Sequence, residues 1–179
     1  SFGQGLGVVP LSFASGIASI INGGYKIKPT LYTVNDSDQR GESIVREEVS
    51  EKIRYAMRQV VKNGSGKKAD ILGYAVIGKT GTADIPCEGS YGGCGIRTSF
   101  VGAFPGWNPR YALLVSFERP KANIKKGILR NSSYWNAGPA AGNIIRLVAP
   151  ILGVEYNETK EIKLPLHNDL INARPKETL

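Results

Sequence analysis

The chain has 179 residues, a length that suits one domain able to bury a core of its own. Its 41% apolar and 21% charged residues describe a globular protein and exclude wholesale disorder, and no apolar run approaches the roughly 18 residues that a membrane span requires. The formal charge of +8 raises nucleic acid as a partner, but the densest basic groups, Lys67-Lys68 and Lys121 to Lys126, carry no interleaved aromatic residues, so nucleic-acid binding is not expected. Positive charge suits an anionic substrate or membrane face equally well. Ser1-Phe2-Gly3-Gln4-Gly5 has neither a basic start nor a signal-type apolar stretch, and reads as the interior of a longer protein.

Pro10 to Asn22 is the first predicted helix, opened by Pro and closed at Gly23-Gly24; its apolar residues lie nearly all round, which predicts a buried helix. Leu31 to Val34 is strand-like, and Asn35 to Gly41 reads as a polar loop. Glu47 to Asn63 is the clearest helix, because Val49, Ile53, Met57, Val60 and Val61 share one face. Glu47 and Glu48 favour its start, and Asn63-Gly64 its stop. Gly64 to Lys68 should be flexible and basic.

Three short β-type runs follow, Tyr74 to Thr80, Thr98 to Phe104 and Tyr111 to Phe117, with Pro105 to Arg110 as a hairpin turn between the second and third. Short joins argue for an antiparallel sheet rather than βαβ units. Pro139 to Leu152 is a final apolar helix, with Pro150 as a potential kink and Gly153 as its end. From Tyr156 onward the sequence is polar and reads as a loosely held tail, so the expected division is a domain over 1–155 and a tail over 156–179. The predicted class is α+β.

Gly78-Lys79-Thr80-Gly81-Thr82 is the most informative stretch, and two chemistries compete for it. Gly73 to Thr80 literally satisfies G-x-x-x-x-G-K-[ST], the phosphate-binding loop. That loop must lead into a helix N-terminus. Here the middle residues Tyr-Ala-Val-Ile favour a strand, and Gly-Thr-Ala-Asp-Ile-Pro follows. The stronger reading is a Lys-Thr-Gly strand edge lining an acyl-transfer site. Gly81 lets a substrate backbone come close. Lys79 supplies positive charge, the hydroxyls of Thr80 and Thr82 can hold a carboxylate, and the N–H after Gly81 can face a developing oxyanion.

Lys79-Thr80-Gly81-Thr82-Ala83 on a strand resembles the third signature of the penicillin-recognising serine transpeptidases and β-lactamases. The resemblance runs from Phe2-Gly3-Gln4-Gly5-Leu6 through Asn22-Gly23-Gly24, Val60 to Ala69 and Phe100 to Pro105, and on to Ala149 to Val154. In this order the segments resemble the C-terminal part of a class B penicillin-binding protein, the septal type more than the elongation type. The fold so implied is a partial transpeptidase fold, with three of the family's five sheet strands.

That family uses an S-x-x-K nucleophile and an S-x-N motif upstream of Lys-Thr-Gly. No S-x-N occurs here, and the only S-x-x-K is Ser65-Gly66-Lys67-Lys68 in a Gly-flanked turn. A nucleophilic Ser needs its Lys held within hydrogen-bond reach, so Ser65 reads as a loop residue. The resemblance therefore implies one wall of the active site of a peptidoglycan D,D-transpeptidase, completed by an N-terminal remainder of the same protein. Lys79 and Thr82 would be the catalytic contributions, and Thr80, Gly81 and Thr82 would bind substrate. The chain alone should be inert.

The implied partners are the peptidoglycan stem peptide or its lipid-linked precursor, β-lactam antibiotics and division proteins. No cofactor or metal is implied. The implied location is the periplasmic face of the inner membrane, with an N-terminal anchor. In that compartment Cys87 and Cys94, seven positions apart, are expected to form a disulfide beside the site, with two reduced thiols as the alternative. His167, in the polar tail, reads as a solvated residue rather than a triad base. Trp107 and Trp135 could pack on the sheet or line a groove. A non-catalytic interaction module of the division machinery is the alternative class.

Overall fold

The computed structural model describes residues 7–33, 40–87, 93–128 and 130–163. Helix α1 (Pro10–Ile21) has Pro at its first position, where a missing N–H costs nothing. Gly23 and Gly24 follow at φ 101° and 91°, and a Cβ on Gly24 would stand 1.8 Å from the Val45 carbonyl oxygen. The chain then enters strand β1 (Tyr25–Ile27), which pairs antiparallel with β2 (Arg40–Ser43).

Three expectations fail in this region. Residues 31–33 form no strand and lie exposed, because among the described residues no strand meets them and β propensity alone cannot hold a strand. Val34 and 35–39 lie outside the described residues, whereas Arg40 and Gly41 belong to a strand rather than a loop. Helix α1 is also not buried. Ser19 and Ile21 alone are buried in it, while Leu11 is 62% exposed, since among the described residues only one of its faces meets a packing layer.

Helix α2 (Glu47–Asn63) has the expected bounds, buries Met57 and Val61, and carries Glu47 and Glu48 in its first turn. The main sheet is β3 (Ile77–Asp84), β4 (Ile96–Phe104) and β5 (Tyr111–Glu118), antiparallel in the order β3-β4-β5. Strand β3 starts at Ile77 rather than Tyr74. Gly73 at φ 82° and Ala75 at φ 42° hold a turn there, overriding the strand preference of Tyr-Ala-Val. Among the described residues no strand pairs with the outer edge of β5.

Helix α3 (Ala137–Ile151) covers one face of the sheet. Its buried positions are Ala137, Gly138, Ala141, Gly142, Ile145 and Ala149, a mostly small set that lets the helix come close. Ala137, Ala141, Ile145 and Ala149 of this set join Val61, Val76, Phe100 and Phe104 in the larger core. On the opposite sheet face Ile77 and Ala103 pack against Ile21 of α1 and Met57 of α2. Pro150 falls in the last turn of α3, and Gly153 at φ 65° ends it.

Residues 156–163 are not a loose tail. The Tyr156 ring meets Tyr74 edge-on at 5.8 Å, Glu161 pairs with Arg58, and Ile162 packs against the smaller core. Polar composition conceals this because the anchors are a ring edge and a half-buried ion pair. Residues 164–179, His167 among them, lie outside the described residues.

Candidate active site

Lys79, Thr80, Gly81 and Thr82 occupy the interior of β3 and lead into no helix, so the phosphate-loop geometry is overturned. The register sets Lys79 beside Val101, Thr80 beside Phe100 and Gly81 beside Ser99. Beyond the other edge of β3 no strand pairs among the described residues. A Cβ on Gly81 would lie 2.7 Å from Ser99 Oγ, the tip of a side chain that can turn aside, and would meet no backbone atom. At Gly78 a Cβ would lie 2.2 Å from the Phe100 ring, which explains that glycine without any ligand.

Lys79 is exposed, and its Nζ donates to the Thr80 carbonyl oxygen at 2.7 Å. The two threonine hydroxyls are each met by a protein group. Ser133 N–H donates to Thr82 Oγ1 at 3.3 Å, and Ser65 Oγ lies 2.6 Å from Thr80 Oγ1. Ser133 is fixed in turn by donating its own hydroxyl to the Ser99 carbonyl at 2.6 Å. Behind them the fully buried Thr98 donates to Asn136 Oδ1 at 2.6 Å, and the same oxygen accepts the Ala137 amide that opens α3.

The turn carrying Ser65 is pinned, contrary to the flexible basic loop expected from its composition. Gly64 N and Gly66 N both donate to the Val60 carbonyl, at 3.1 and 3.0 Å, folding the turn onto the end of α2. A 3-10 turn over Lys67–Ala69 follows, with Ala69 fully buried. Lys68 Nζ sits 3.6 Å from the Trp135 ring centre and 4.9 Å from that of Tyr134, so it stacks on aromatics rather than serving Ser65 as an S-x-x-K base. Two loops thus flank the strand, one through Ser65 and one through Ser133, joined to each other by Lys68 on Trp135. Spacing in sequence gives no sign of these contacts, which are all tertiary.

A buried arginine ties this assembly down. Arg58 of α2, 6% exposed, donates to Asp70 Oδ1 at 2.7 Å, to both Glu161 oxygens at 2.7 and 3.0 Å, and to the Val76 carbonyl at 3.1 Å, one residue ahead of β3. Burial works against its charge, yet Glu161 and Asp70 outweigh that and raise its pKa above the ordinary arginine value. Partial burial likewise opposes the charge of Glu161, but Arg58, the Ile162 amide and Lys62 outweigh it and bring the carboxyl down to about 2.

At the far end of β3, Cys87 and Cys94 form a disulfide with Cα atoms 5.6 Å apart. Ile85 N–H donates to the Gly95 carbonyl at 2.9 Å, and Arg119 Nε to the Cys94 carbonyl at 2.9 Å, so the loop is tied to β5 as well. Residues 88–92 lie outside the described residues. Among the described residues no group of three or more His, Cys, Asp and Glu side chains could hold a metal ion. Trp135 flanks the site, and Trp107 lies under Lys160 at 5.6 Å.

This arrangement has counterparts. Residues 1–145 match the Transpeptidase family, described as the penicillin binding protein transpeptidase domain. Stage V sporulation protein D of Bacillus subtilis is 33% identical over 92% of the chain and 28% of its own length. A Caulobacter vibrioides protein named "Probable peptidoglycan D,D-transpeptidase FtsI" is 32% identical over all of the chain and 31% of its own length. The chain therefore spans less than a third of these curated relatives. Among solved structures, the TP domain of Burkholderia pseudomallei penicillin-binding protein 3 superposes with a TM-score of 0.73 and 26% identity, covering 87% of this chain and 46% of that one. Mycobacterium tuberculosis penicillin-binding protein 3, complexed with ampicillin, gives 0.72 and 25%, covering 92% and 40%.

Proposed function

Because the chain belongs to the penicillin-binding-protein transpeptidase family, we propose that it forms one wall of a peptidoglycan D,D-transpeptidase of the division type, whose nucleophilic Ser comes from another segment of the same protein. One observation carries this reading: Lys79-Thr80-Gly81-Thr82 lies on β3, whose outer edge no described strand covers. The apolar outer face of α1, with Leu11 and Phe13 exposed, offers a place for the remainder to pack.

In this reaction the Ser Oγ adds to the penultimate D-Ala carbonyl of a stem peptide as its proton passes to a base. The peptide C–N bond then breaks, D-Ala leaves with its amine protonated, and an acyl-enzyme remains. An amine from a neighbouring stem attacks that ester, forms the cross-link and releases the Ser. Lys79 supplies positive potential for the terminal carboxylate, which accepts hydrogen bonds from Thr80 and Thr82. The Thr82 N–H is one of two oxyanion donors, and losing such a donor costs about 10²–10³ in rate. β-Lactams acylate the same Ser, and division proteins recruit the enzyme to the periplasmic face of the inner membrane. No helix among the described residues is long and apolar enough to cross a membrane.

The test is covalent labelling with a fluorescent penicillin. The intact protein should form an adduct, Lys79→Ala should slow it by about 100-fold or more, and the 179-residue chain alone should stay unlabelled. An adduct on the isolated chain, or none on the intact protein, overturns the reading.

A further inference from the structure

Thr80 and Thr82 share a strand face, and the two hydroxyls are not equally supported. Thr82 Oγ1 accepts the Ser133 backbone N–H, so its own proton is free to be given away. An anion needs donors, and a threonine whose acceptor side is already taken by the protein is a threonine set to donate. Among the described residues Thr80 Oγ1 has no backbone donor of this kind; its partner is the Ser65 hydroxyl at 2.6 Å. Ser65 is exposed, 15 positions away in sequence, and carried on a turn pinned at Val60 by Gly64 and Gly66, anchored by Asp70 on Arg58 and stacked through Lys68 on Trp135.

We infer that Ser65 is a positioning residue for the acyl-donor carboxylate: it donates its hydroxyl proton to Thr80 Oγ1 and so turns the Thr80 O–H toward the ligand. This inference rests on the transpeptidase reading. Ser65 then does for Thr80 what the Ser133 amide does for Thr82, and both hydroxyls become outward donors side by side. A donor whose oxygen already accepts a hydrogen bond is polarised and binds an anion more strongly. The stiff χ1 of a β-branched residue leaves the hydroxyl rotor as the freedom that Ser65 removes.

The experiment uses the intact protein and two probes, benzylpenicillin and its methyl ester, which differ in the carboxylate alone. Acylation is resolved into the binding constant and the rate of the covalent step. Ser65→Ala should weaken benzylpenicillin binding by about three- to tenfold, the worth of one hydrogen bond, and leave the ester within about twofold, so the acid-to-ester ratio falls. Ser65→Thr should restore the ratio. In a Thr80→Val background Ser65→Ala should have no further effect, because the two act as one unit. Equal losses for acid and ester, no loss at all, no rescue by Thr, or an undiminished effect in the Thr80→Val background each overturn the inference. Failure of the wild-type protein to be acylated overturns instead the transpeptidase reading on which it stands.

Discussion

The two halves of the chain are built to different standards of completeness. Around β3, β4, β5 and α3 the core closes on itself: Val76, Phe100, Ala137, Ala141 and Ile145 are fully buried. Around α1, β1 and β2 it does not. Leu11 is 62% exposed, Leu31 102% and Tyr32 84%, and the strand pairing among the described residues there is a short two-stranded ribbon. The half that bears the Lys-Thr-Gly strand buries six residues of α3 against its sheet, although Leu147 and Ile151 on the outer side of that helix are 66% and 82% exposed, whereas in α1 Ser19 and Ile21 alone are buried. A preorganised site needs the first kind of support, since donors must be in place before the reaction reaches them.

This contrast predicts a gradient of effects in the 179-residue chain. Phe100→Ala, which empties the centre of the closed core, should destabilise it by about 3–5 kcal/mol in urea unfolding. Arg58→Leu should cost about 2–3 kcal/mol, because the Val76 carbonyl and Asp70 lose the guanidinium as a donor and Glu161 is left with Lys62 and the Ile162 amide. An equal loss for Leu11→Ala and Phe100→Ala would erase the distinction between the halves.

Glu161 sharpens the comparison through pH. Its carboxyl titrates near 2 when folded, against an ordinary value of 4.5, so its contribution is complete above about 4.5 and is lost as pH falls towards 2. With its side chain 35% exposed, solvent screening reduces that contribution to about 1–2 kcal/mol. Glu161→Gln should therefore lower Tm at neutral pH and flatten its fall on acidification. The smallest effect belongs to the open half: Leu11→Ser should change stability by less than about 0.5 kcal/mol. In the intact protein the same substitution should be costly if that face is covered.

Local signals carried the sequence reading wherever one element decided its own fate. Helix α2 is bounded correctly because acidic residues open it, Asn63-Gly64 closes it, and a single apolar face runs between. The strand setting of Lys79 to Thr82 is legible because β-branched and apolar residues precede it and no helix start follows. The start of that strand is not legible, since nothing local reveals that Ala75 adopts φ 42°. Strands β1 and β2 escaped notice: Tyr-Lys-Ile is only three residues, and Arg-Gly-Glu-Ser has no β-forming composition. The supports of the site were illegible for a different reason. Ser65 meets Thr80 across 15 positions, Ser133 meets Thr82 across 51, and Arg58 meets Glu161 across 103. Periodicity and spacing carry no information at such separations.

The Arg58 junction bears on how this polypeptide tolerates trimming. A cut after residue 155 looks harmless by composition, since only polar residues seem to be sacrificed. It would remove the Tyr156 ring from Tyr74 and the carboxylate that grips Arg58 with two oxygens. The guanidinium would then hold the entrance of β3 with Asp70 as its sole acidic counterpart among these contacts. Shortened versions ending before Glu161 should consequently be judged by their stability in urea and not by solubility alone, because the damage would surface at the entrance of β3, distant from the severed end in sequence though adjacent to it in space.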